Sequence, residues 1–113
     1  MKLYAEYIKE VCDLHIEYTE DYFFTYEIND TYVYLQTVYI KKEKRESGQI
    51  DEILKKVYKI AKDNKCSLVS SSICKNVKDE VKSRSHHILT KNLFKEYDND
   101  DNMIYYCRGV YNG

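Results

Sequence analysis

Apolar and polar positions along the chain alternate between two periods, and the changes of period mark its elements. From Tyr4 to Tyr18 the apolar positions are Tyr4, Tyr7, Ile8, Val11, Cys12, Leu14, His15 and Tyr18. Their spacing of three and four predicts one amphipathic helix, with Glu6, Lys9, Glu10, Asp13 and Glu17 on its other face. His15, at the edge of the stripe, reads as a half-buried packing residue. Between Asp21 and Ile28 the period falls to two, with Phe23, Phe24, Tyr26 and Ile28 around Thr25 and Glu27, which predicts a strand. Asn29-Asp30 is a turn signal. Tyr32 to Lys41 is then apolar on both faces, the pattern of a central strand covered from both sides.

The second half repeats the alternation. Ile50 to Asn64 is a helix with Ile50, Ile53, Leu54, Val57, Ile60 and Ala61 on one face and lysines on the other. Asn64-Lys65 can end it in a left-handed residue. Cys66 to Cys74 reads as a strand, so strand, helix and strand form a crossover between two parallel strands. Val77 to Lys91 is a weaker helix, and Leu93–Tyr97 and Met103–Arg108 are strands joined by the acidic loop Asp98–Asn102. The predicted order is α-β-β-α-β-α-β-β in a single domain spanning residues 1–113, without repeats or linkers.

Composition narrows the function classes. With 43% apolar and 33% charged residues the chain is a globular protein and not a disordered one. A net charge of −1 gives no electrostatic case for nucleic acid or an anionic membrane. No apolar run approaches the roughly eighteen residues of a membrane helix, and no signal peptide opens the chain, so a cytoplasmic address is expected. Thirteen tyrosines with no tryptophan fit half-buried strands better than a stacking surface. Abundant Lys, Asn, Ile and Tyr suit an AT-rich genome such as that of a phage, for which the address is host cytoplasm or virion. Cys12, Cys66, Cys74 and Cys107 lack zinc-type spacing and read as reduced, buried thiols. The Asp98–Asn102 cluster lacks the glycine and closing glutamate of a calcium loop, so no metal site is expected.

Chemistry concentrates in Glu43-Lys44-Arg45-Glu46-Ser47-Gly48-Gln49-Ile50, where a strand hands the chain to a helix N-terminus. Backbone N–H groups point outward there, and the helix dipole favours an anion. Val38-Tyr39-Ile40, then Arg45-Glu46-Ser47-Gly48-Gln49, then the helix, resembles the acetyl-CoA-binding core of the GNAT (GCN5-related N-acetyltransferase) superfamily. That signature has Arg or Gln, two residues, Gly, one residue, then Gly or Ala. Cys66–Ile73 is similar to the family's next strand, and Ser85–Phe94 to the helix that follows and its usual Gly-Phe ending. Length and stretches such as Val38–Ser47 look most like short acetyltransferase-like proteins of phages. The resemblance covers about residues 21–108, and Met1-Lys2-Leu3 leaves little room for the family's first strand.

What the resemblance implies is an α+β fold with a mixed, mostly antiparallel sheet and helices on both faces. It also implies acetyl-CoA as cofactor, held by Val38, Tyr39, Ile40, Arg45, Glu46, Ser47, Gly48, Gln49 and Ile50. The acceptor is then an amine of a small molecule or a protein. Ile50 stands where Gly or Ala is usual and would crowd the phosphate. Leu93 replaces the glycine before Phe94, Leu89 stands where many members carry an acidic tyrosine, and Gln36 lies near the usual basic carboxylate. The remaining candidates for proton transfer are Glu27 or a water on Gln36 as base, and Tyr105 or Tyr106 as acid. These departures equally suit a catalytically inactive member of the fold. Such a protein is a binding or assembly module, for example a phage virion component or an inhibitor of a host protein, with an open sheet edge for a homodimer or protein partner.

Overall fold

The computed structural model describes residues 2–110; Met1 and residues 111–113 lie outside the described part. In chain order the elements are α1 (Lys2–Cys12), β1 (His15–Tyr18), β2 (Tyr22–Ile28), β3 (Tyr32–Ile40), α2 (Gln49–Asp63), β4 (Leu68–Cys74), α3 (Asp79–Lys91), β5 (Lys95–Asn99) and β6 (Met103–Gly109). The strands form one six-stranded sheet in the order β1-β2-β3-β4-β6-β5. β3 and β4 run parallel, and every other neighbouring pair is antiparallel. The expected mixed α+β architecture is therefore present, with one more strand than the apolar pattern predicts.

That extra strand corrects the helix expected over Tyr4–Tyr18. α1 stops at Cys12, Asp13 takes a positive φ of 54°, and the Leu14 N–H returns to the Ile8 carbonyl 3.2 Å away. His15–Tyr18 then pairs with Tyr26–Phe23 of β2. Leu14, His15 and Tyr18 fit a helical stripe, but the free edge of β2 offers this segment a ladder of backbone hydrogen bonds that a longer helix would leave unused. His15 is half-buried and stacks on Tyr26 at 5.0 Å.

The core lies under one face of the sheet. In register, Phe24, Tyr26, Val33, Leu35, Val69, Ile73 and Tyr106 share that face, and α2 covers it with Ile53, Leu54, Val57 and Ala61 while α3 adds Leu89. Burying such a side chain fully contributes about 1.5–3 kcal/mol, so this face holds most of the stabilising contacts. Arg108 ties the two helices across it: its guanidinium donates to Tyr58 Oη and the Asn92 carbonyl, each at 3.0 Å, and lies 4.6 Å from the Tyr58 ring centre. The opposite face is covered only in part. Thr25 and Ser70 are buried there, whereas α1 buries Ile8 alone, outside the main cluster.

α2 and α3 end the same way. At α2, the Cys66 N–H reaches the Ala61 carbonyl (2.8 Å) and the Lys65 N–H the Lys62 carbonyl (3.1 Å). At α3, Phe94 reaches Leu89 (2.9 Å) and Leu93 reaches Thr90 (3.1 Å). These paired bonds are the Schellman arrangement, which needs a left-handed residue just past the cap. Lys65 (φ 59°) and Leu93 (φ 71°) fill that position.

Candidate functional site

The sheet comes apart where its two parallel strands diverge. β3 pairs with β4 from Tyr32–Leu68 to Leu35–Ser71 and no further, while β4 keeps pairing with β6 as far as Cys74–Met103. From Gln36 to Ile40 one edge of β3 therefore faces an opening in place of a neighbour. This corrects the expectation that Tyr32–Lys41 is covered on both faces. Gln36, Thr37, Val38 and Tyr39 are exposed, with Tyr39 at 49%, because no strand flanks them on that side.

A bulge sets the vertex. Thr25 pairs with Thr37 but Tyr26 with Leu35, so Gln36 is the extra residue in β3. Its amide oxygen accepts a bond from the Thr25 hydroxyl at 3.4 Å. Two further hydroxyl bonds close the vertex. Ser71 Oγ donates to the Leu35 carbonyl at 3.0 Å, and Tyr34 Oη and Ser72 Oγ are 2.5 Å apart across the two strands.

The loop after β3 carries the second half of the site. Following the turn Lys42–Lys44, Glu46 (φ 63°) and Gly48 (φ 85°) are both left-handed, and Gly48 leads into α2 without a side-chain cap. Among the described residues, none accepts a hydrogen bond from the N–H groups of Gly48, Gln49, Ile50 or Asp51. An added Cβ at Gly48 would meet nothing within 4 Å. The space above these N–H groups is thus open, as a phosphate cradle requires. Ile50, the second residue of α2, is partly buried and packs against the core. Arg45 Nε donates to the Ile40 carbonyl at 2.9 Å and its guanidinium lies 5.6 Å from the Tyr39 ring centre, which holds it at the mouth of the opening.

The candidate proton-transfer groups fall in different places. Glu27 lies opposite Tyr34 in the β2–β3 register and is half-buried. Gln36 is at the vertex. Tyr105 lies opposite Ser72, and its hydroxyl donates to Asp100 Oδ2 at 3.0 Å; that bond raises its pKa above the usual phenol value. Tyr106 is on the helix-covered face, 1% exposed, with its hydroxyl 2.6 Å from His86 Nδ1 in a pocket beside α3. Burial is the main reason its pKa is also raised. Leu89 is buried in the core. Of the four thiols only Cys66 is buried, which pushes its pKa up, and Cys12 is exposed, against the expectation that all are buried. Tyr34 and Ser72 have no motif to announce them. Their one signal is Ser70-Ser71-Ser72, three hydroxyls in an otherwise apolar strand, each needing a partner.

No family model matches the chain, and no curated protein matches it in sequence. Solved structures do. A GNAT family acetyltransferase from Elizabethkingia anophelis with acetyl-CoA bound superposes with a TM-score of 0.70 at 12% identity, over 96% of this chain and 87% of its own. The N-acetyltransferase PseH of Campylobacter jejuni, in complex with acetyl coenzyme A, gives 0.71 at 13% identity, over 97% and 79%. The PaiA N-acetyltransferase of Thermoplasma acidophilum, in complex with coenzyme A, gives 0.69 at 19%, over 96% and 69%. Identities this low alongside near-complete superposition mean that the path of the backbone is shared: the chain has the GNAT fold.

Proposed function

We propose that this protein is an acetyl-CoA-dependent N-acetyltransferase whose acyl donor lies in the opening between β3 and β4. The observation that carries the reading is the divergence of the two strands beyond Leu35 and Ser71, in front of the uncapped start of α2. The N–H groups of Gly48–Asp51 suit a pyrophosphate, and Arg45 supplies a cation beside it. Glu46, Ser47 and Gln49 shape the same loop. The free edge of Val38, Tyr39 and Ile40 offers backbone partners for the amides of a pantetheine arm. When bound, acetyl-CoA supplies an activated thioester; the chain's own part is to align it with the amine and to move protons. A backbone N–H of Val38–Ile40 meets the oxyanion, Glu27 or a water on Gln36 takes the amine proton, and Tyr105 is a hydroxyl held in its protonated form. The acceptor is an amine of a small molecule or a protein.

A second reading has its own support. Leu3, Tyr4, Tyr7 and Val11 of α1 are 51–79% exposed, which favours a protein partner or a second copy of the chain, with the fold serving as a binding module.

Melting with and without acetyl-CoA tests both. Ligand at about a hundred times its dissociation constant adds roughly 2.7 kcal/mol. Arg45→Ala should remove most of the resulting shift, and Lys82→Ala, on α3, should leave it intact. No shift at millimolar cofactor refutes the enzyme. A shift without thioester turnover on a broad amine panel favours the binding module.

A further inference from the structure

We infer that the outer edge of β1 is an interface with a second copy of this chain, paired antiparallel about Ile16 so that the two sheets run on into one. The pairing asks nothing of the β3–β4 opening. The sheet has two outer edges, β1 and β5. β5 is guarded as edges usually are: its register shifts between Glu96 and Asp98, and Lys95, Glu96 and Asp98 set charges along it. β1 keeps an unbroken register from His15 to Tyr18. Among the described residues, no segment pairs with its outer side.

The hairpin to β2 fixes which backbone groups point outward. The Thr19 N–H donates to the Tyr22 carbonyl at 2.8 Å, so Thr19–Tyr22 is a hydrogen-bonded pair, and such pairs recur at every second residue. Glu17 and His15 therefore turn their N–H and C=O groups inward, to Phe24 and Tyr26, while Ile16 and Tyr18 turn theirs outward. A second β1, related by a two-fold axis, can meet this edge with Ile16 opposite itself. Both Ile16 residues then exchange N–H···O=C bonds, and each Tyr18 N–H reaches the Leu14 carbonyl of the other copy. Slipping the second copy so that Ile16 lies opposite Tyr18 also uses the outward groups, so the side chains decide between the two registers.

With Ile16 opposite itself, His15 of each copy lies opposite Glu17 of the other on the helix-covered face, and an imidazole N–H can donate to the carboxylate. On the other face Ile16 meets Ile16 and Leu14 lies beside Tyr18. The slipped register sets the two Glu17 carboxylates directly opposite each other, and like charges there are destabilising. His-Ile-Glu is thus self-complementary in the first register and not in the second. His15, Ile16 and Glu17 are half-buried and Tyr18 is 43% exposed, so docking removes surface that is still wet. In the single copy the charged and titratable groups near His15 are Lys9 and Asp13 of α1, and those near Glu17 are Tyr26 of β2 and Lys56 of α2. The β3–β4 opening lies beyond β2 and β3, outside this interface.

Sedimentation velocity over a range of protein concentrations, with amide exchange followed by NMR, tests the pairing. The paired edges are short, so the wild-type protein should pass from monomer to dimer as concentration rises. The Ile16 and Tyr18 amides should exchange more slowly in the dimer. Glu17→Lys should weaken the dimer about tenfold, because two cross-strand charge pairs are lost and reversed. His15→Lys, a full cation opposite Glu17 at neutral pH, should tighten it. Glu17→Lys and His15→Asp, each a poor match for itself, should form a heterodimer when mixed, since each offers the other the opposite charge. Melting curves identify any variant that has lost its fold, and His15→Lys then carries the comparison. A protein that stays monomeric at millimolar concentration overturns the edge pairing. So does a dimer that ignores Glu17→Lys and His15→Lys, or one that leaves the Ile16 and Tyr18 amides unprotected; either result puts the contact elsewhere, as on the exposed face of α1.

Discussion

Leu93 is held at φ 71°, in the left-handed region where an L side chain costs about 1–2 kcal/mol and glycine costs almost nothing. It cannot leave that region without breaking the two bonds that end α3, Leu93 N–H to Thr90 (3.1 Å) and Phe94 N–H to Leu89 (2.9 Å). The side chain is 66% exposed, so only about a third of a full leucine burial is lost on truncation, about 0.5–1 kcal/mol. Leu93→Ala loses that burial and keeps the strain. Leu93→Gly loses the same burial and relieves the strain, at a cost of about 0.4–1 kcal/mol from the added freedom of its unfolded chain. The glycine variant should therefore be near wild type and about 0.5–1 kcal/mol more stable than the alanine variant. For a domain of this size that difference is about 2–5 °C in melting temperature. Thermal and urea unfolding of the three proteins provide the assay. An alanine variant as stable as the glycine variant would show that residue 93 is not left-handed, and the account of how α3 ends would be wrong.

Arg108→Ala should destabilise the fold by about 1.5–3 kcal/mol in urea melts, because it removes a charged donor from Tyr58 and from the Asn92 carbonyl. Arg108→Lys should recover little of it, since one ammonium cannot both bond that carbonyl and lie flat on the Tyr58 ring. The pKa of His15 is lowered mainly by burial and then by Lys9. A depressed folded value means the unfolded chain binds the extra proton first, so this contribution is intact above about pH 6.5 and is lost as pH falls through the folded value. Melting temperature should fall over that window in wild type and fall less in His15→Phe, which keeps the stack on Tyr26. Asp100 is lowered mainly by the backbone N–H groups of Asn102 and Met103 and then by the Tyr105 hydroxyl. Its contribution is present above about pH 3.9 and is lost as pH falls through its folded value, so Asp100→Asn should flatten the acid limb of the stability curve.

Local chemistry accounts for the parts of the architecture that were legible in advance. The stripe Ile53, Leu54, Val57, Ala61 defines α2 whatever it packs on, because a 3.6-residue period has one apolar face. The alternation Phe24, Tyr26, Ile28 defines β2 in the same way. The pairing of one parallel crossover with two flanking hairpins then follows from connection lengths, and with it the resemblance to GNAT proteins. The strand–loop–helix setting of Arg45 and Gly48 was readable too, since a glycine before a helix signals where N–H groups are free.

Other features depended on contacts between segments far apart in the chain. Leu14, His15 and Tyr18 satisfy a helical stripe and a strand equally, and only the vacant edge of β2 decides between them. Val38 and Tyr39 are as apolar as Val33 and Leu35, yet they are exposed, because pairing of β3 with β4 ends at Leu35 and Ser71 and no local pattern encodes where two parallel strands part. Asn64-Lys65 signals a left-handed end to α2, but Leu93 carries no such signal of its own; there the Schellman bonds impose it. Tyr34 and Ser72 are 38 residues apart and meet only across that divergence. By itself, then, the sequence determined every element except β1, their order and the glycine loop ahead of α2, all of which are local periodicity and turn chemistry. The tertiary structure decided the opening between β3 and β4 and the hydroxyl pair at its vertex, because both arise from strand register, which is set by the packing of the whole sheet.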